Sequence, residues 1–218
     1  MKKTIIFDNE NVIVWQDWGK VANAITENLG IQVDQENIKI VLQMKNVTGY
    51  NMLEKLSKGI ISSEEYWCTF LQSQGIIANK INIEKAASAL ESLTTYVSND
   101  VIELIKVLKD LGYNLLMISN ATPEIETGNK RRNNYFDLFD FVHYSHKIGS
   151  RKPEQEIYKF VLETHLLEPA ECIFIDDKQE NVEAAERIGM KGIRYTINEP
   201  IQKLYKQLKE KGIELSSN

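Results

Sequence analysis

Polar side chains that could do chemistry stand directly after, or close behind, several short apolar segments of this sequence. In chain order they are Asp8 and Glu10, then Ser119 and Asn120, then Lys152, then Asp176 and Asp177. If the apolar segments are parallel strands, these residues lie near the carboxyl ends of the strands, where such sheets bind their ligands. We therefore expect four carboxylates and one ammonium group to meet in a small volume.

Four carboxylates at that distance cannot all stay ionised unless a cation lies among them, because like charges raise one another's pKa. The donors are all oxygen atoms, with no cysteine or histidine, and this set selects a hard divalent ion such as a partly hydrated Mg²⁺. A Mg²⁺, a lysine and a serine hydroxyl that point at one spot suit a phosphoryl group, whose transfer depends on positioning and on charge neutralisation. A carboxylate held there can attack phosphorus and form an aspartyl-phosphate. The alternative is that each acidic residue only caps a turn at the end of its strand.

The elements that must position these residues alternate along the second half of the chain. The pattern predicts strands at residues 114–118, 139–144, 172–175 and 191–195, and helices at residues 101–111, 153–164, 178–188 and 201–211. Such alternation is typical of βαβ units on a parallel sheet. The apolar segment 3–7 must join the same sheet, because a single short strand is not stable alone.

Helical periodicity dominates the region between the first strand and this alternating part. Apolar residues from Trp18 to Leu29 recur at helical spacing and are followed by Gly30, a typical helix stop, while Ser62 and Glu65 have the spacing of a capping box. No segment in this region has a strand pattern as clear as that of residues 3–7. We therefore predict an α/β fold, in which a Rossmann-like parallel sheet from residues 1–14 and 95–218 is interrupted by an all-helical insertion at about residues 15–94.

The composition excludes several other classes of protein. The chain has 218 residues, of which 43% are hydrophobic, and this is enough to form a real core. Its net charge of −5 disfavours nucleic acid as a partner. The apolar runs are far shorter than the roughly 20 residues that cross a bilayer, and the N-terminus lacks the apolar region of a signal peptide. We expect a soluble cytoplasmic protein that binds neither nucleic acid nor a membrane.

Four segments of the chain form an ordered set of motifs. They read Phe-Asp-Asn-Glu-Asn-Val-Ile-Val at 7–14, Ile-Ser-Asn at 118–120, Arg-Lys-Pro-Glu at 151–154 and Phe-Ile-Asp-Asp at 174–177. In this order they resemble the four motifs of the haloacid dehalogenase superfamily. The long interval between the first two resembles the helical cap of the subfamily that includes 2-haloacid dehalogenases, β-phosphoglucomutase and many sugar-phosphate phosphatases. The first and third segments are most similar to a branch of glucose-1-phosphate-phosphatase-like and epoxide-hydrolase N-domain-like proteins.

This resemblance implies a Mg²⁺-dependent phosphatase that hydrolyses a small phosphorylated metabolite, such as a sugar phosphate, through an aspartyl-phosphate. It implies that Asp8 is the nucleophile and a ligand of Mg²⁺. Glu10 would occupy the place of the general acid/base, and its backbone carbonyl would also touch the metal. The helical insertion at 15–94 would be the cap domain, and residues 1–14 and 95–218 would be the core domain.

The resemblance also implies roles for the later motifs. Ser119 and Asn120 would hydrogen-bond the oxygens of the transferring phosphoryl group, and Lys152 would neutralise these oxygens and orient the nucleophile. Asp177 matches the acidic metal ligand, and Asp176 would be a second carboxylate that binds the metal directly or through water.

Two positions depart from the family pattern. The third residue of the first motif is usually aspartate, and here it is Glu10, whose side chain is one methylene longer. Many relatives have aspartate seven residues after the nucleophile, where this chain has Trp15. Two alternatives therefore stay open beside the phosphatase. One is removal of halide from a 2-haloacid, with Asp8 attacking carbon, and the other is a degenerate member that binds a phosphorylated ligand without turning it over.

Overall fold

The computed structural model describes residues 3–215, and its strands form two separate sheets. In chain order the strands are β1 (Thr4–Phe7), β2 (Val14–Gln16), β3 (Thr94–Val97), β4 (Asn114–Ser119), β5 (Phe141–Tyr144), β6 (Cys172–Asp176) and β7 (Lys191–Arg194). Five of them form a parallel sheet in the order β5-β4-β1-β6-β7. β2 and β3 pair with each other in an antiparallel ribbon. The first strand of the chain therefore lies at the centre of the main sheet.

Burial explains why a strand of only four residues takes the central place. Each residue of β1 is buried, and Ile6 pairs with Leu116 of β4 on one side and with Phe174 of β6 on the other. Ile5 and Phe7 point into one apolar cluster, and Ile6 points into a second cluster on the opposite face. A strand that is covered on both faces reads as a continuous apolar run, as this segment does.

Helices cover both faces of the main sheet and form the insertion. In chain order they are α1 (Trp18–Leu29), α2 (Ile38–Gln43), α3 (Lys45–Thr48), α4 (Met52–Ser57), α5 (Ser63–Ser73), α6 (Lys80–Glu91), α7 (Asn99–Asp110), α8 (Pro123–Arg132), α9 (Ser145–Ile148), α10 (Gln155–Thr164), α11 (Gln179–Arg187) and α12 (Ile201–Glu210). Residues of α7 and α12 pack on one face of the sheet, and residues of α10 and α11 pack on the other. The fold is the predicted α/β fold with a Rossmann-like parallel sheet.

Helices α1 to α6 form the inserted helical cap between β2 and β3. All of them except α3 contribute to one apolar cluster, in which Ile25, Leu56, Trp67, Phe70 and Leu90 are fully buried and which also includes Ala121, Ile125 and Tyr144 of the core. The local signals act as expected: Gly30 ends α1 with φ of 70°, and the hydroxyl of Ser62 accepts a hydrogen bond from the backbone N–H of Glu65 at the start of α5.

The ribbon of β2 and β3 was not predicted, and it lies where the chain enters and leaves the cap. Residues 15 and 16, which we expected at the start of the helical insertion, belong to β2. The domain boundaries at 14/15 and 94/95 stay a prediction. Among residues 3–215, no helix is both long enough and apolar enough to span a membrane.

Candidate active site

The predicted residues meet around the side chain of Lys152. Its ammonium lies 2.6 Å from Oδ1 of Asp8 and 2.8 Å from Oδ2 of Asp176, and it donates a third hydrogen bond of 2.8 Å to the carbonyl of Ile118. Only 1% of the Lys152 residue is exposed. Burial by itself lowers the pKa of Lys152, but the attraction of Asp176 and Asp8 outweighs it and holds this pKa above its usual value. The lysine is therefore a permanent positive charge at the ends of β1, β4 and β6.

Three carboxylates converge beside this lysine. One carboxylate oxygen from each of Asp8, Asp176 and Asp177 lies within 4.8 Å of the others. Burial raises the pKa of Asp8 well above its usual range, and the attraction of Lys152 opposes this effect. The carboxylates of Asp176, Glu10 and Asp177 raise the pKa of Asp8 further. Burial and Asp176 likewise raise the pKa of Asp177. The single positive charge of Lys152 does not balance the three carboxylates, and a divalent cation among these oxygen donors would neutralise the remaining negative charge.

The two adjacent aspartates of the last motif are held differently. Asp176 is fully buried, and its Oδ1 accepts hydrogen bonds of 2.9 Å from the backbone N–H of Lys178 and from Asn181, while its Oδ2 accepts from Lys152. Asp177 is half-buried, and its Oδ2 accepts a bond of 3.2 Å from Asn11. Among the described residues, its Oδ1 has no hydrogen-bond donor, so Asp177 has the more available oxygen for a metal ion.

Glu10 lies outside this group of three carboxylates and is bound within a buried polar network. Its Oε2 accepts a hydrogen bond of 2.8 Å from the hydroxyl of Ser119. Its Oε1 accepts bonds of 3.0 Å from Asn9 and 3.3 Å from Asn129. The carboxylate of Glu10 therefore accepts bonds from the end of β4, from α8 and from the neighbouring Asn9. The hydroxyl of Ser119 binds Glu10 here, and its expected bond to the phosphoryl group stays a prediction.

Sequence reasoning missed the residues behind this network. The amide oxygen of Asn9 accepts a bond of 2.7 Å from the hydroxyl of Tyr135, and the amide oxygen of Asn129 accepts one from the hydroxyl of Thr94. Both asparagines are fully buried. These bonds fix which amide atoms face Glu10, since the oxygens are already used and only the NH₂ groups remain. No sequence pattern near Asn129 or Tyr135 predicts such a contact, because it joins segments that are distant in the sequence.

Asn120 binds the backbone of the lysine loop, and its expected bond to the phosphoryl group stays a prediction. Its amide donates a hydrogen bond of 2.8 Å to the carbonyl of Lys152 and accepts one of 2.9 Å from the backbone N–H of Lys152. Glu154 of the same loop is held from the side of the cap, because Lys58, the residue after α4, forms an ion pair of 2.8 Å with it. The loop at 150–154 is thus bound to the residue that follows β4 and to the residue that follows α4, and these contacts help to position the ammonium.

A cavity of about 370 Å³ opens above these residues, between the core and the cap. Its floor contains Asp8, Glu10, Lys152 and Asp177, and its other walls include residues of β2, α1, α2, α4, α8 and α11 and of the loops after β4, α9 and β6. The lining side chains of the cap are mostly polar or charged. They are Trp18, Lys39, Gln43, Asn51, Leu53, Glu54 and Ser57. A small polar molecule could therefore reach the carboxylates and the lysine together.

Two known proteins of similar sequence are phosphatases. The chain is 24% identical over 198 residues to the D-ribitol-5-phosphate phosphatase of Bacteroides thetaiotaomicron, and the alignment covers 87% of this chain and 89% of that protein. A shorter stretch of 94 residues is 40% identical to a sesquiterpene phosphatase of Aspergillus oryzae. It covers 43% of this chain and 47% of the fungal protein, so the match spans about half of that relative.

The same fold occurs in a solved structure. A haloacid dehalogenase family enzyme of Bacteroides thetaiotaomicron, crystallised with magnesium and inorganic phosphate, superposes with a TM-score of 0.77 at 20% identity. The superposition covers 94% of this chain and all of that one. The family model of the haloacid dehalogenase-like hydrolases matches residues 2–189, which include all four motifs. This chain therefore belongs to the haloacid dehalogenase-like hydrolases.

Proposed function

We propose that this protein is a Mg²⁺-dependent phosphatase that hydrolyses a small phosphorylated metabolite through an aspartyl-phosphate on Asp8. The observation that supports this most strongly is the convergence of Asp8, Asp177 and the ammonium of Lys152 at the floor of a cavity, with the buried carboxylate of Asp176 in contact with the same ammonium. The phosphatases among the relatives, and the magnesium and phosphate bound by the structural neighbour, point the same way.

The residues fit a magnesium ion. Asp8 and Asp177 would hold it directly, Asp176 would hold it directly or through water, and the backbone carbonyl of Glu10 would supply a further oxygen. Such an ion neutralises the charge of the phosphoryl oxygens and orients them. The donors are all hard oxygen atoms. Burial raises the pKa of Asp8 most, and repulsion from Asp176, Glu10 and Asp177 raises it further, a repulsion that a cation would relieve.

In the first step, a carboxylate oxygen of Asp8 attacks phosphorus, and the bond between phosphorus and the leaving oxygen breaks. Glu10 gives a proton to that oxygen, and the metabolite leaves as an alcohol. In the second step, Glu10 takes a proton from a water molecule that attacks phosphorus, the bond to Asp8 breaks, and inorganic phosphate leaves. Lys152 neutralises negative charge throughout, while Asn120 keeps the loop that bears it in place.

Residues 15–94 act in this proposal as the cap that covers the cavity and selects the leaving group. The two alternatives explain less. Halide removal with Asp8 attacking carbon needs no metal and leaves the converging carboxylates without a role. A phospho-ligand binder without activity would follow from a displaced Glu10, yet Glu10 lines the cavity and is held by three hydrogen bonds.

The direct test is hydrolysis of p-nitrophenyl phosphate with Mg²⁺ and with excess chelator, on the wild type and on Asp8→Asn. We expect phosphate release that requires Mg²⁺ and is lost in the variant. Asp110→Asn, at the exposed end of α7, is a matched control and should behave as the wild type. Equal rates in chelator would remove the metal from the proposal, and an active Asp8→Asn protein would remove the nucleophile.

A further inference from the structure

Three cations besides Lys152 line the cavity: Lys39, Arg151 and Lys178, of which Lys178 is exposed. Lys39 of α2 lines the cavity, and its ammonium lies 5.4 Å from the centre of the Trp18 ring. Within the described part of the chain, no carboxylate oxygen comes within 4.0 Å of this ammonium. Arg151, in the loop that carries Lys152, lies 3.8 Å from Oε2 of Glu54, which is longer than a hydrogen bond.

The charges around Lys39 favour an added anion. Partial burial lowers the pKa of Lys39, and repulsion from Lys178 and Arg151 lowers it further, while Asp177 acts in the opposite direction. The neighbours of this ammonium are therefore net repulsive, and a negative group placed between Lys39 and Arg151 would relieve the repulsion. Of the carboxylates that line the cavity beyond its floor, Glu154 is already paired with Lys58, and Glu54 and Glu180 stand on the rim with partly exposed or exposed side chains.

Resting on the proposed phosphatase activity, we propose that Lys39 and Arg151 bind a second anionic group, a carboxylate or a phosphate, on the leaving group of the substrate. The phosphoryl group to be transferred would occupy the floor beside Asp8 and Lys152. The volume of about 370 Å³ accommodates a small molecule that spans both places. Gln16, Gln43 and Asn51 also line the cavity and offer hydrogen bonds to hydroxyl groups of such a molecule. The preferred substrates are therefore small, polar and doubly anionic.

The test compares two phosphonates that cannot be hydrolysed. 3-Phosphonopropionate has the second anionic group, and propylphosphonate lacks it. Binding is measured by calorimetry with Mg²⁺ present, on the wild type, on Lys39→Met and on Lys45→Met. Lys45 belongs to the neighbouring helix α3, is exposed and lies outside the cavity lining, so it controls for the change in net charge.

We expect the wild type to bind 3-phosphonopropionate about tenfold more tightly, the effect of one charge-assisted hydrogen bond. Lys39→Met should lose most of this preference, and Lys45→Met should keep it. Equal affinities of the wild type for the two ligands would overturn the inference. A Lys39→Met protein that loses affinity for both ligands equally would also overturn it, because Lys39 would then contact the phosphonate common to both.

Hydrolysis of p-nitrophenyl phosphate by the same proteins separates this inference from the proposed function. A wild type that prefers 3-phosphonopropionate but releases no phosphate from the aryl ester would refute the phosphatase and leave a binding site for dianions. Hydrolysis of the aryl ester without any ligand preference would support the phosphatase and refute the second site. The control Lys45→Met, outside the cavity lining, should hydrolyse the aryl ester within about twofold of the wild type.

Discussion

Replacement of Glu10 by glutamine tests the role of the residue at which this chain departs from its family. Glutamine keeps the length and volume of the side chain but cannot hold or release the proton. A general acid/base contributes typically about 10²–10⁴-fold to a rate, so we expect a loss of this size on an alkyl phosphate such as glycerol phosphate. The loss in the first step should be smaller for p-nitrophenyl phosphate, whose leaving group departs without a proton.

The hydrogen bonds of Glu10 predict how much unfolding free energy Glu10→Gln loses. Three donors point at the carboxylate of Glu10, from Ser119, Asn9 and Asn129, and all three residues are fully buried. A glutamine amide offers one acceptor oxygen, and its NH₂ group would face at least one of these donors. An unsatisfied buried donor costs about 1–3 kcal/mol, so Glu10→Gln should lose about that amount of unfolding free energy. Glu10→Ala would leave all three donors unsatisfied and is the less informative variant.

Glu10→Asp completes the comparison. Its side chain is shorter by one carbon–carbon bond, about 1.5 Å, so it cannot reach all three donors at their observed positions. Since the long arm fits the network of Ser119, Asn9 and Asn129, we expect this variant to be slower than the wild type rather than faster.

The assay measures the rates of all variants on both substrates, with urea unfolding to verify the fold. With the aryl substrate, Glu10→Gln should release one equivalent of p-nitrophenolate in a burst and then turn over slowly, because the second step still needs the base. Glu163→Gln, an exposed glutamate of α10, is the matched control and should equal the wild type. A Glu10→Gln protein as fast as the wild type on glycerol phosphate, or a faster Glu10→Asp protein, would refute the reasoning.

Three further outcomes are expected. Asp8→Asn should lose turnover by several orders of magnitude and still fold, because an amide is a poor nucleophile and a weak metal ligand; steady-state kinetics and circular dichroism measure both, and retained turnover would contradict it. Lys152→Met should unfold at a lower temperature because it leaves Asp8 and Asp176 buried without their cation, at a cost of about 3–5 kcal/mol, and Mg²⁺ should raise its melting temperature more than that of the wild type. An equal gain from Mg²⁺ in both proteins would argue against a shared charge site. Burial, with a contribution from His165, lowers the pKa of His143 from 6.5 to about 4, so the folded protein binds fewer protons than the unfolded chain between these values. The stability contributed by neutral His143 is complete above about pH 6.5 and is lost as the pH falls toward about 4. In urea unfolding, the free energy of unfolding of His143→Gln should therefore fall less between about pH 7 and pH 5 than that of the wild type. Equal decreases in the two proteins would contradict this.

Much of the fold follows from local patterns in the sequence. Strands β1, β4 and β6 are buried on both faces, so each appears as an uninterrupted apolar run, and a polar residue marks its end. A second rule predicts that Asp8 and Asp176 meet, because the carboxyl ends of parallel strands share one edge of the sheet, and it predicts that Lys152 joins them from the loop region that follows β5. The structure brings these three side chains into contact.

What could not be predicted depends on contacts between distant segments. The bonds from Asn129 to Glu10 and from Tyr135 to Asn9 join residues more than a hundred positions apart, and asparagine by itself indicates a turn. The ribbon of β2 and β3 was missed for a similar reason. Its strands are only three and four residues long, and the helical insertion separates them in the sequence.

The central claim is that Asp8 carries the phosphoryl group during turnover. The most direct measurement is to quench the protein with borohydride during turnover of p-nitrophenyl phosphate in Mg²⁺ and to sequence its peptides by mass spectrometry. Borohydride reduces an acyl phosphate to an alcohol, so a phosphorylated Asp8 would be recovered as homoserine. We predict homoserine at position 8 when both substrate and Mg²⁺ are present, and aspartate when either is left out. Rapid phosphate release with unmodified aspartate at position 8, or with the modification on another carboxylate, would contradict the account.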